Sequence, residues 1–388
     1  MTDLLTPTPP SRRDFLRTLS LGAGATLVGT AALGAPLDWL AADRKLGVAL
    51  VGLGNYSTGQ LAPALQQTKF CQLAGVVTGS PEKATKWQQQ YGIPAKNCYD
   101  YKTFDQMIDN PAIDVVYVVL PNAMHAEYVV RAAQAGKHVI CEKPMATSVA
   151  DARHMIAAME KAGKKFSIGY RLHFEPHNQE MMRLGQGLAY GKISHLASEN
   201  GFKFGPGGTP WRVDKKLSGG GPLMDMGIYS LQGCLYTKGQ VPVSVTAKFA
   251  PNSNPALFKD VEAGISWQLH FADGSVADCR TSYTENMSRL RADAAQGWFE
   301  LEPAFGYGGL AGKTSKNDGK LDLPNINQQA AQMDDFAQCV LLNKPTRVPG
   351  EMGLRDVQLL EAIYRAAETG QSVSTKDVGQ LIERRSAK

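Results

Sequence analysis

The sequence predicts an α/β protein in which a doubly wound parallel sheet is followed by an α+β domain with an open, mainly antiparallel sheet. An apolar run, Leu46–Leu53, passes directly into a glycine-rich turn. Short apolar strands then alternate with helical patterns as far as Gly169, which is typical of a parallel sheet covered on both faces. Polar and apolar residues alternate over Lys192–Phe204, as in a half-buried antiparallel strand.

The composition is that of an ordinary soluble protein with about two domains. The chain has 388 residues, of which 43% are hydrophobic and 20% charged, and its net charge is +5. Lysine and arginine form no clustered stripe, so we expect no nucleic-acid partner. The six cysteines are far apart and show no metal-ligand spacing, so we expect buried thiols and no metal site.

The first residues are typical of an export signal. A twin-arginine pattern, Ser11–Arg17, precedes a weakly hydrophobic, alanine- and glycine-rich run from Leu19 to Leu37. We expect residues 1–35 to be the signal, cleaved near Ala32–Ala35, and residues 36–45 to be a short arm. The protein would then meet the twin-arginine translocation machinery, be exported folded and work in the periplasm, without stable membrane insertion. The alternative is a chance arginine pair before a membrane anchor.

The glycine-rich turn predicts a dinucleotide site of the Rossmann type, in a domain spanning residues 46–170. It reads Gly52-Leu53-Gly54-Asn55-Tyr56-Ser57 and joins the first strand to a helical pattern. The first glycine permits a tight turn, the second lets the backbone approach a pyrophosphate, and a helix N-terminus then faces the phosphates. Ser57 replaces the usual third glycine with another small residue. We therefore expect cofactor contacts from Gly52, Gly54, Asn55, Tyr56 and Ser57.

The end of the second strand, Gln72–Val77, favours NADP over NAD. It runs into Thr78-Gly79-Ser80 and lacks the acid that grips the adenosine ribose in NAD sites. Ser80 offers a hydroxyl and Lys83 a positive charge, which together suit a 2′-phosphate. Ser80 is equally suited to cap the helix Pro81–Tyr91, and both roles are compatible. We expect tightly bound NADP, with NAD as the less favoured cofactor.

Two further strand ends supply candidate residues, because ligands bind beyond the carboxyl ends of strands in open α/β sheets. The strand Val115–Leu120 ends in Pro121-Asn122, with His125 at the start of the next helix. We expect all three to face the cofactor, and the alternative for His125 is a structural role. The following strand ends in Glu142-Lys143-Pro144, where the proline forces a turn that aims the lysine. The alternative for Lys143 is an ordinary loop lysine.

The second domain, expected at residues 171–350, begins with Arg171 and His173, which can face a bound ligand. A helical pattern, Leu223–Tyr236, places Asp225 and Tyr229 four residues apart and so on one face. The glycine-rich stretch before that helix, Gly205–Gly221, is expected to be functional or disordered. We expect Gly306–Asn317 to be an exposed loop, and residues 351–388 to form a C-terminal helix and tail that pack back toward the first domain.

Four motifs occur here in the order known from one family: Gly52-x-Gly54, Leu120-Pro121-Asn122, Glu142-Lys143-Pro144 and Gly219–Asp225–Tyr229. Together they resemble the glucose–fructose oxidoreductase / inositol dehydrogenase / rhizopine-catabolism (GFO/IDH/MocA) superfamily, over about residues 45–375. The resemblance implies a Rossmann domain and a second domain whose open sheet often forms oligomers. A homodimer or homotetramer is therefore expected.

The chain resembles one branch of that superfamily most closely. Many members carry Asp-x-Gly-x-His where this chain has Asp225-Met226-Gly227-Ile228-Tyr229. The tyrosine and Pro210-Trp211-Arg212-Val213-Asp214 resemble the glucose–fructose oxidoreductase branch. That branch implies tightly held NADP(H), oxidation of an aldose to a lactone, and reduction of a second sugar by the same cofactor in the periplasm. Members that lock in NADP have a long proline-rich arm where this chain has only residues 36–45, which leaves permanent retention and the tetramer open.

Oxidation of an aldose at its anomeric carbon requires a base for the hydroxyl proton. We expect Tyr229 to take it, with Lys143 lowering the tyrosine pKa from about 10 or sharing the proton. Asp225 would orient a sugar hydroxyl or hold Lys143. Arg171 and His173 would face the sugar hydroxyls. The simpler alternatives are a domain-interface tyrosine and a helix-surface carboxylate.

The expected cofactor contacts extend beyond the turn and the first strand ends to Glu142, Lys143, Arg171, Trp211 and Arg212, and the alternative for Arg212 is to anchor its loop. Two other functions stay open. One is an NAD-dependent glycoside hydrolase of the same superfamily, which the missing acid and Tyr229 speak against. The other is a non-catalytic dimeric binding protein. The sequence does not name the sugar.

Overall fold

The computed structural model describes residues 44–205, 208–316 and 319–378. The predicted export signal and most of the arm at 36–45 lie outside the described residues. Within the described part, a first sheet of six parallel strands has the order β3-β2-β1-β4-β5-β6. The strands are β1 (Leu46–Val51), β2 (Cys71–Val77), β3 (Cys98–Tyr99), β4 (Val115–Val118), β5 (His138–Cys141) and β6 (Phe166–Ile168). The predicted doubly wound Rossmann sheet is confirmed.

Helices connect these strands as the sequence predicts. They are α1 (Ala62–Leu65, continuing a π-helical turn Ser57–Leu61), α2 (Pro81–Tyr91), α3 (His125–Gln134) and α4 (Val149–Lys161). Local capping sets where they begin. The Ser80 hydroxyl accepts a hydrogen bond from the Lys83 amide, and the Ser148 hydroxyl accepts one from the Asp151 amide.

A second sheet has nine strands in the described residues, in the order β14-β13-β12-β11-β7-β10-β9-β8-β15. The strands are β7 (Ile193–Gly201), β8 (Ser244–Phe249), β9 (Gly264–His270), β10 (Val276–Ser282), β11 (Met287–Ala294), β12 (Gly297–Leu301), β13 (Gly312–Thr314), β14 (Lys320–Leu321) and β15 (Val373–Ser374). Only β7 and β10 pair in parallel among these described strands, so the sheet is mainly antiparallel as predicted. The run Gly306–Asn317 contains β13, so describing it as only an exposed loop was wrong.

The second half of the chain contributes the remaining helices. They are α5 (Pro176–Gln186), α6 (Lys215–Ser218), α7 (Ile228–Lys238, continuing a π-helical turn Leu223–Gly227), α8 (Gln328–Leu341) and α9 (Gly350–Thr369). Every residue of α7 is buried, because this helix packs against α5 on one side and β7 on the other. The predicted site helix is therefore rigidly held.

Helix α8 packs on the Rossmann domain although the sequence boundary at residue 350 assigns it to the second. Ala330, Met333 and Phe336 share a hydrophobic cluster with β1. The Asp334 carboxylate accepts hydrogen bonds of 2.9–3.0 Å from the amides of Lys69 and Phe70. The packing boundary therefore differs from the sequence boundary. Helix α9 packs against both α4 and β8.

All six cysteines are free thiols, and all are buried except the half-buried Cys98. No helix in the described ranges is both long and apolar enough to cross a membrane. Across those same residues, no group of three or more histidine, cysteine, aspartate or glutamate side chains is arranged to hold a metal ion.

Candidate active site

The turn after β1 leaves its backbone open to a ligand. Gly52 has φ +95, and a Cβ there would lie 2.4 Å from the Val119 carbonyl oxygen, so only glycine fits. Gly54 and Asn55 are exposed, and a Cβ on Gly54 would meet no atom within 4 Å. The buried Ser57 hydroxyl donates a 2.6 Å hydrogen bond to the Gly52 carbonyl and so fixes the turn. This geometry fits a pyrophosphate held by backbone amides.

The end of β2 carries polar groups that fit a 2′-phosphate. The Ser80 hydroxyl caps α2 as an acceptor, which leaves its own hydrogen free to donate. The Lys83 ammonium donates a 3.3 Å hydrogen bond to the Leu53 carbonyl, so a positive charge lies against the dinucleotide turn. Glu82 lies in the first turn of α2.

The end of β4 is tied to the second domain. Asn122 follows Pro121 in the turn after β4, and its side-chain amide donates a 2.8 Å hydrogen bond to the Ser218 carbonyl at the end of α6. His125 is fully buried, and its two ring nitrogens lie 2.9 Å from the carbonyl oxygens of Leu120 and Pro144. Its ring is therefore buried and joins two strand ends, and its expected contact with the cofactor stays a prediction.

Glu142 is also buried and bonded within the protein. Its carboxylate accepts a 2.7 Å hydrogen bond from the Tyr117 hydroxyl, which in turn accepts one from Gln332 of α8. Burial raises the pKa of Glu142, and the Tyr117 hydrogen bond and the Lys143 charge oppose that rise. The carboxylate thus lies at the contact between the Rossmann sheet and α8, and the expected cofactor contact of Glu142 stays a prediction.

Lys143 is brought to the two residues predicted to work with it. Its ammonium donates a 2.6 Å hydrogen bond to the Asp225 carbonyl and lies 3.5 Å from the Asp225 carboxylate. It also lies 4.6 Å from the centre of the Tyr229 ring, over the ring face. The structure therefore gathers Lys143, Asp225 and Tyr229. The lysine contacts the ring face instead of pairing with the hydroxyl.

Asp225 holds two cations at once. Its carboxylate accepts a 2.8 Å hydrogen bond from Arg212 and a 3.0 Å one from the Tyr283 hydroxyl. Burial alone would raise the pKa of Asp225, but the Lys143 and Arg212 charges outweigh it and hold that pKa below its usual value. Of its two expected roles, the structure supports holding Lys143.

Arg171 is almost fully buried and engaged by protein groups. Its guanidinium lies between the rings of Tyr229 and Tyr307, at 4.9 and 4.4 Å from their centres. It donates hydrogen bonds to the carbonyls of Phe305 (2.6 Å) and Gly306 (2.9 Å), and to Gln328. Burial lowers the pKa of Arg171, but the neighbouring phenols raise it above the usual value, so the side chain stays charged.

His173 lines a small apolar cavity together with Lys143 and Tyr229. Its Nε2 lies 2.7 Å from the Gln232 side-chain oxygen, and burial lowers the pKa of His173 to about 4. The imidazole is therefore neutral and is held within the protein, not presented to solvent.

Trp211 and Arg212 form the outer wall of the cleft. Both are half-buried, and the Arg212 guanidinium lies 4.9 Å from the centre of the Trp211 ring. The loop-anchoring alternative for Arg212 therefore agrees with its bond to Asp225.

Sequence reasoning missed Tyr283, Tyr307 and Gln328. Tyr283 bonds Asp225 from the residue after β10, and Tyr307 stacks on Arg171 from a glycine-rich run. None of the three belongs to a spaced motif. The only available signal for Tyr307 was an aromatic residue between two glycines, Gly306 and Gly308.

Comparison with known proteins agrees with this geometry. Residues 46–170 match the GFO_IDH_MocA profile, described as an oxidoreductase family with an NAD-binding Rossmann fold, and residues 179–300 match the GFO/IDH/MocA C-terminal domain. The crystal structure of aldose-aldose oxidoreductase from Caulobacter crescentus, complexed with glycerol, is 42% identical. It superposes with a TM-score of 0.82, covering 85% of this chain and 100% of that one.

Two curated relatives align with this chain over nearly their whole length. D-xylose 1-dehydrogenase (NADP+) of Haloarcula marismortui is 29% identical over 87% of this chain and 96% of its own. D-glucoside 3-dehydrogenase of Escherichia coli is 27% identical over 84% of this chain and 97% of its own. Together with the profile matches and the ordered motifs, these similarities show that the chain belongs to the GFO/IDH/MocA family of oxidoreductases.

Proposed function

We propose that this protein is an NADP-dependent sugar oxidoreductase that oxidises an aldose at its anomeric carbon to a lactone. The observation that carries the proposal is the cluster of Lys143, Asp225 and Tyr229 at the carboxyl ends of the Rossmann strands. Similarity to an aldose-aldose oxidoreductase and to an NADP-dependent xylose 1-dehydrogenase supports it.

NADP fits the described residues better than NAD. The backbone at Gly54 is open, Lys83 and Ser80 lie where a 2′-phosphate would sit, and no carboxylate ends β2. When bound, the nicotinamide supplies the carbon that accepts the hydride. The protein has to orient the sugar and take up its proton.

Tyr229 is the best-placed base for the anomeric hydroxyl. Lys143 and Arg171 lie 4.6 and 4.9 Å from its ring centre. These two positive charges favour the phenolate, which is the form that accepts the hydroxyl proton and becomes the phenol. Asp225 keeps Lys143 in place and balances part of that charge. We further propose that the returning step delivers the proton from Tyr229 to a second sugar, which is reduced by the same bound cofactor.

The test is product analysis with the purified protein. We expect bound NADP(H) to be identified by mass, and a mixture of aldose with a ketose or second aldose to yield lactone and polyol. Tyr229→Phe keeps the ring and its cation contacts but removes the hydroxyl, so turnover should fall by at least about 100-fold while nucleotide binding is retained. Absence of both bound nucleotide and turnover would refute the proposal.

The same assays separate the alternatives. A 3-keto sugar instead of a lactone would assign the protein to the D-glucoside 3-dehydrogenase type, and cleavage of a chromogenic glycoside would assign it to the NAD-dependent hydrolases. Either result would mean that the protein does not oxidise an aldose at the anomeric carbon as proposed, and would assign it the other reaction.

We also propose that the protein is exported folded to the periplasm and forms a homodimer or homotetramer through the open face of the second sheet. Charged side chains on that face, among them Glu199, Asp278 and Arg280, are suited to a polar interface. Cell fractionation of the wild type and of a variant with Arg12 and Arg13 changed to lysine tests the first point. Light scattering during gel filtration tests the second.

A further inference from the structure

A segment of the second domain, residues 305–309, lies directly against the dinucleotide turn. The ring of Tyr307 lies 5.8 Å from the ring of Tyr56, with the planes 31° apart. Tyr56 belongs to the turn between Gly54 and Ser57, and its hydroxyl is also 3.5 Å from the Gln329 amide nitrogen of α8. Two elements from the second half of the chain therefore meet over the turn that would hold the pyrophosphate.

Arg171 fastens this segment to the site. It donates hydrogen bonds to the carbonyls of Phe305 and Gly306, and Gln328 donates a further 3.1 Å bond to the Gly306 carbonyl. The Arg171 guanidinium also lies 4.4 Å from the centre of the Tyr307 ring. The base of the segment is thus fixed, while its aromatic tip lies between two rigid groups, Tyr56 and Arg171.

The tip is only partly enclosed by the protein. Tyr307 is 49% exposed, and it is preceded by Gly306 and followed by Gly308 and Gly309. A Cβ on Gly308 or Gly309 would meet no atom within 4 Å. Glycines allow large backbone changes at low cost, so the ring can swing aside for a ligand and return.

We infer that Tyr307 is a clasp that retains the dinucleotide by closing over it against Tyr56. Its aromatic ring, and not its hydroxyl, does this by covering the cofactor between the turn and Arg171. The inference rests on the proposed function for the identity of the nucleotide.

The test measures the dissociation rate of NADPH from the full-length protein, following the loss of bound NADPH fluorescence after excess NADP+ is added. Tyr307→Ala removes the ring and should speed dissociation about fivefold to tenfold. Tyr307→Phe keeps the ring and should stay within about twofold of the wild type. Ile108→Ala, at a site that is 56% exposed on the segment Phe104–Asp109, is the matched control and should also stay within about twofold. The thermal midpoint of each apoprotein checks folding.

Four results would overturn the clasp. Equal dissociation rates in wild type and Tyr307→Ala would show that the ring does not retain the nucleotide. Slower dissociation in Tyr307→Ala would show that the ring obstructs the site. An effect of Tyr307→Phe as large as that of Tyr307→Ala would assign the role to the hydroxyl. A wild type that binds no NADPH would refute both the clasp and the proposed cofactor, whereas the other results leave the proposed function standing.

Discussion

Asp225 is the residue on which both cations of the cleft wall depend. Its carboxylate is within 3.5 Å of Lys143 and 2.8 Å of Arg212. Asp225→Asn keeps the shape but leaves two buried or half-buried cations without their counter-charge. We expect this change to cost about 3–5 kcal/mol of stability, measured by urea unfolding at neutral pH. It should also reduce turnover, because Lys143 loses its counter-charge and keeps only its bond to the backbone carbonyl of residue 225.

The stabilisation that the Asp225 carboxylate contributes should fall as the pH falls. The folded pKa of Asp225 is below its usual value, so its stabilisation is fully present above about pH 5 and is lost as the pH falls through the lowered pKa. The stability difference between wild type and Asp225→Asn should therefore be constant from about pH 5 to 7 and shrink in stronger acid. A difference that grows on acidification would contradict this account of the ion pairs.

The predicted site residues differ in what positions them. A strand end and a helix face orient Lys143 and Tyr229 locally, so their approach to each other could be predicted. The contacts of Arg171 and Glu142 could not be predicted, because their partners, Phe305 and Tyr117, come from distant parts of the chain. The residues next to an arginine in the sequence do not indicate that its side chain will be buried between two aromatic rings.

Among the elements, the start of the site helix depends on a close approach at Gly220. A Cβ there would lie 2.0 Å from the Tyr364 hydroxyl of α9, which donates a 2.9 Å hydrogen bond to Glu262. The Glu262 carboxylate in turn accepts the amides of Gly221 and Leu223. The glycine-rich stretch therefore ends in a tightly packed junction, and not in a free loop.

Gly220→Ala should destabilise the protein by about 1–3 kcal/mol through overpacking. Tyr364→Phe removes the clashing oxygen, so the double variant should lose less stability than the two single variants added together. Gly205→Ala is the control, because a Cβ there would meet nothing within 4 Å. If the stability loss of the double variant in thermal unfolding equals the sum of the two single losses, the side chains at positions 220 and 364 do not clash.

Element boundaries were predictable where capping is local and unpredictable where pairing is distant. Helix α2 begins after Ser80 and ends at Tyr91 as the sequence predicts. The short strand β13 pairs with β12 across a glycine-rich run. Its three residues, Gly312–Thr314, have no periodicity of their own from which a strand could be inferred.

For the whole molecule, one hydrophobic cluster spans both sheets and includes Val51 of β1 and Leu196 of β7. Helix α8 completes a second cluster on the Rossmann side. Phe336 is 2% exposed and packs in this second cluster. We expect Phe336→Ala to lower the free energy of unfolding by about 3–5 kcal/mol. Fluorescence and circular dichroism should both show a single unfolding transition with a lower midpoint than in the wild type. Gln338→Ala, on the exposed side of the same helix, should change stability by less than about 0.5 kcal/mol. Two separate transitions in the wild type would contradict a shared core.

The central claim is that the cluster of Lys143, Asp225 and Tyr229 carries out oxidation at the anomeric carbon. The most direct measurement gives the NADP-loaded protein an aldose deuterated at C1 for a single turnover and analyses the reduced cofactor by mass. We expect one deuterium in NADPH from the wild type and no reduced cofactor from Tyr229→Phe on the same timescale. Unlabelled NADPH, or labelled NADPH formed equally fast by Tyr229→Phe, would contradict it.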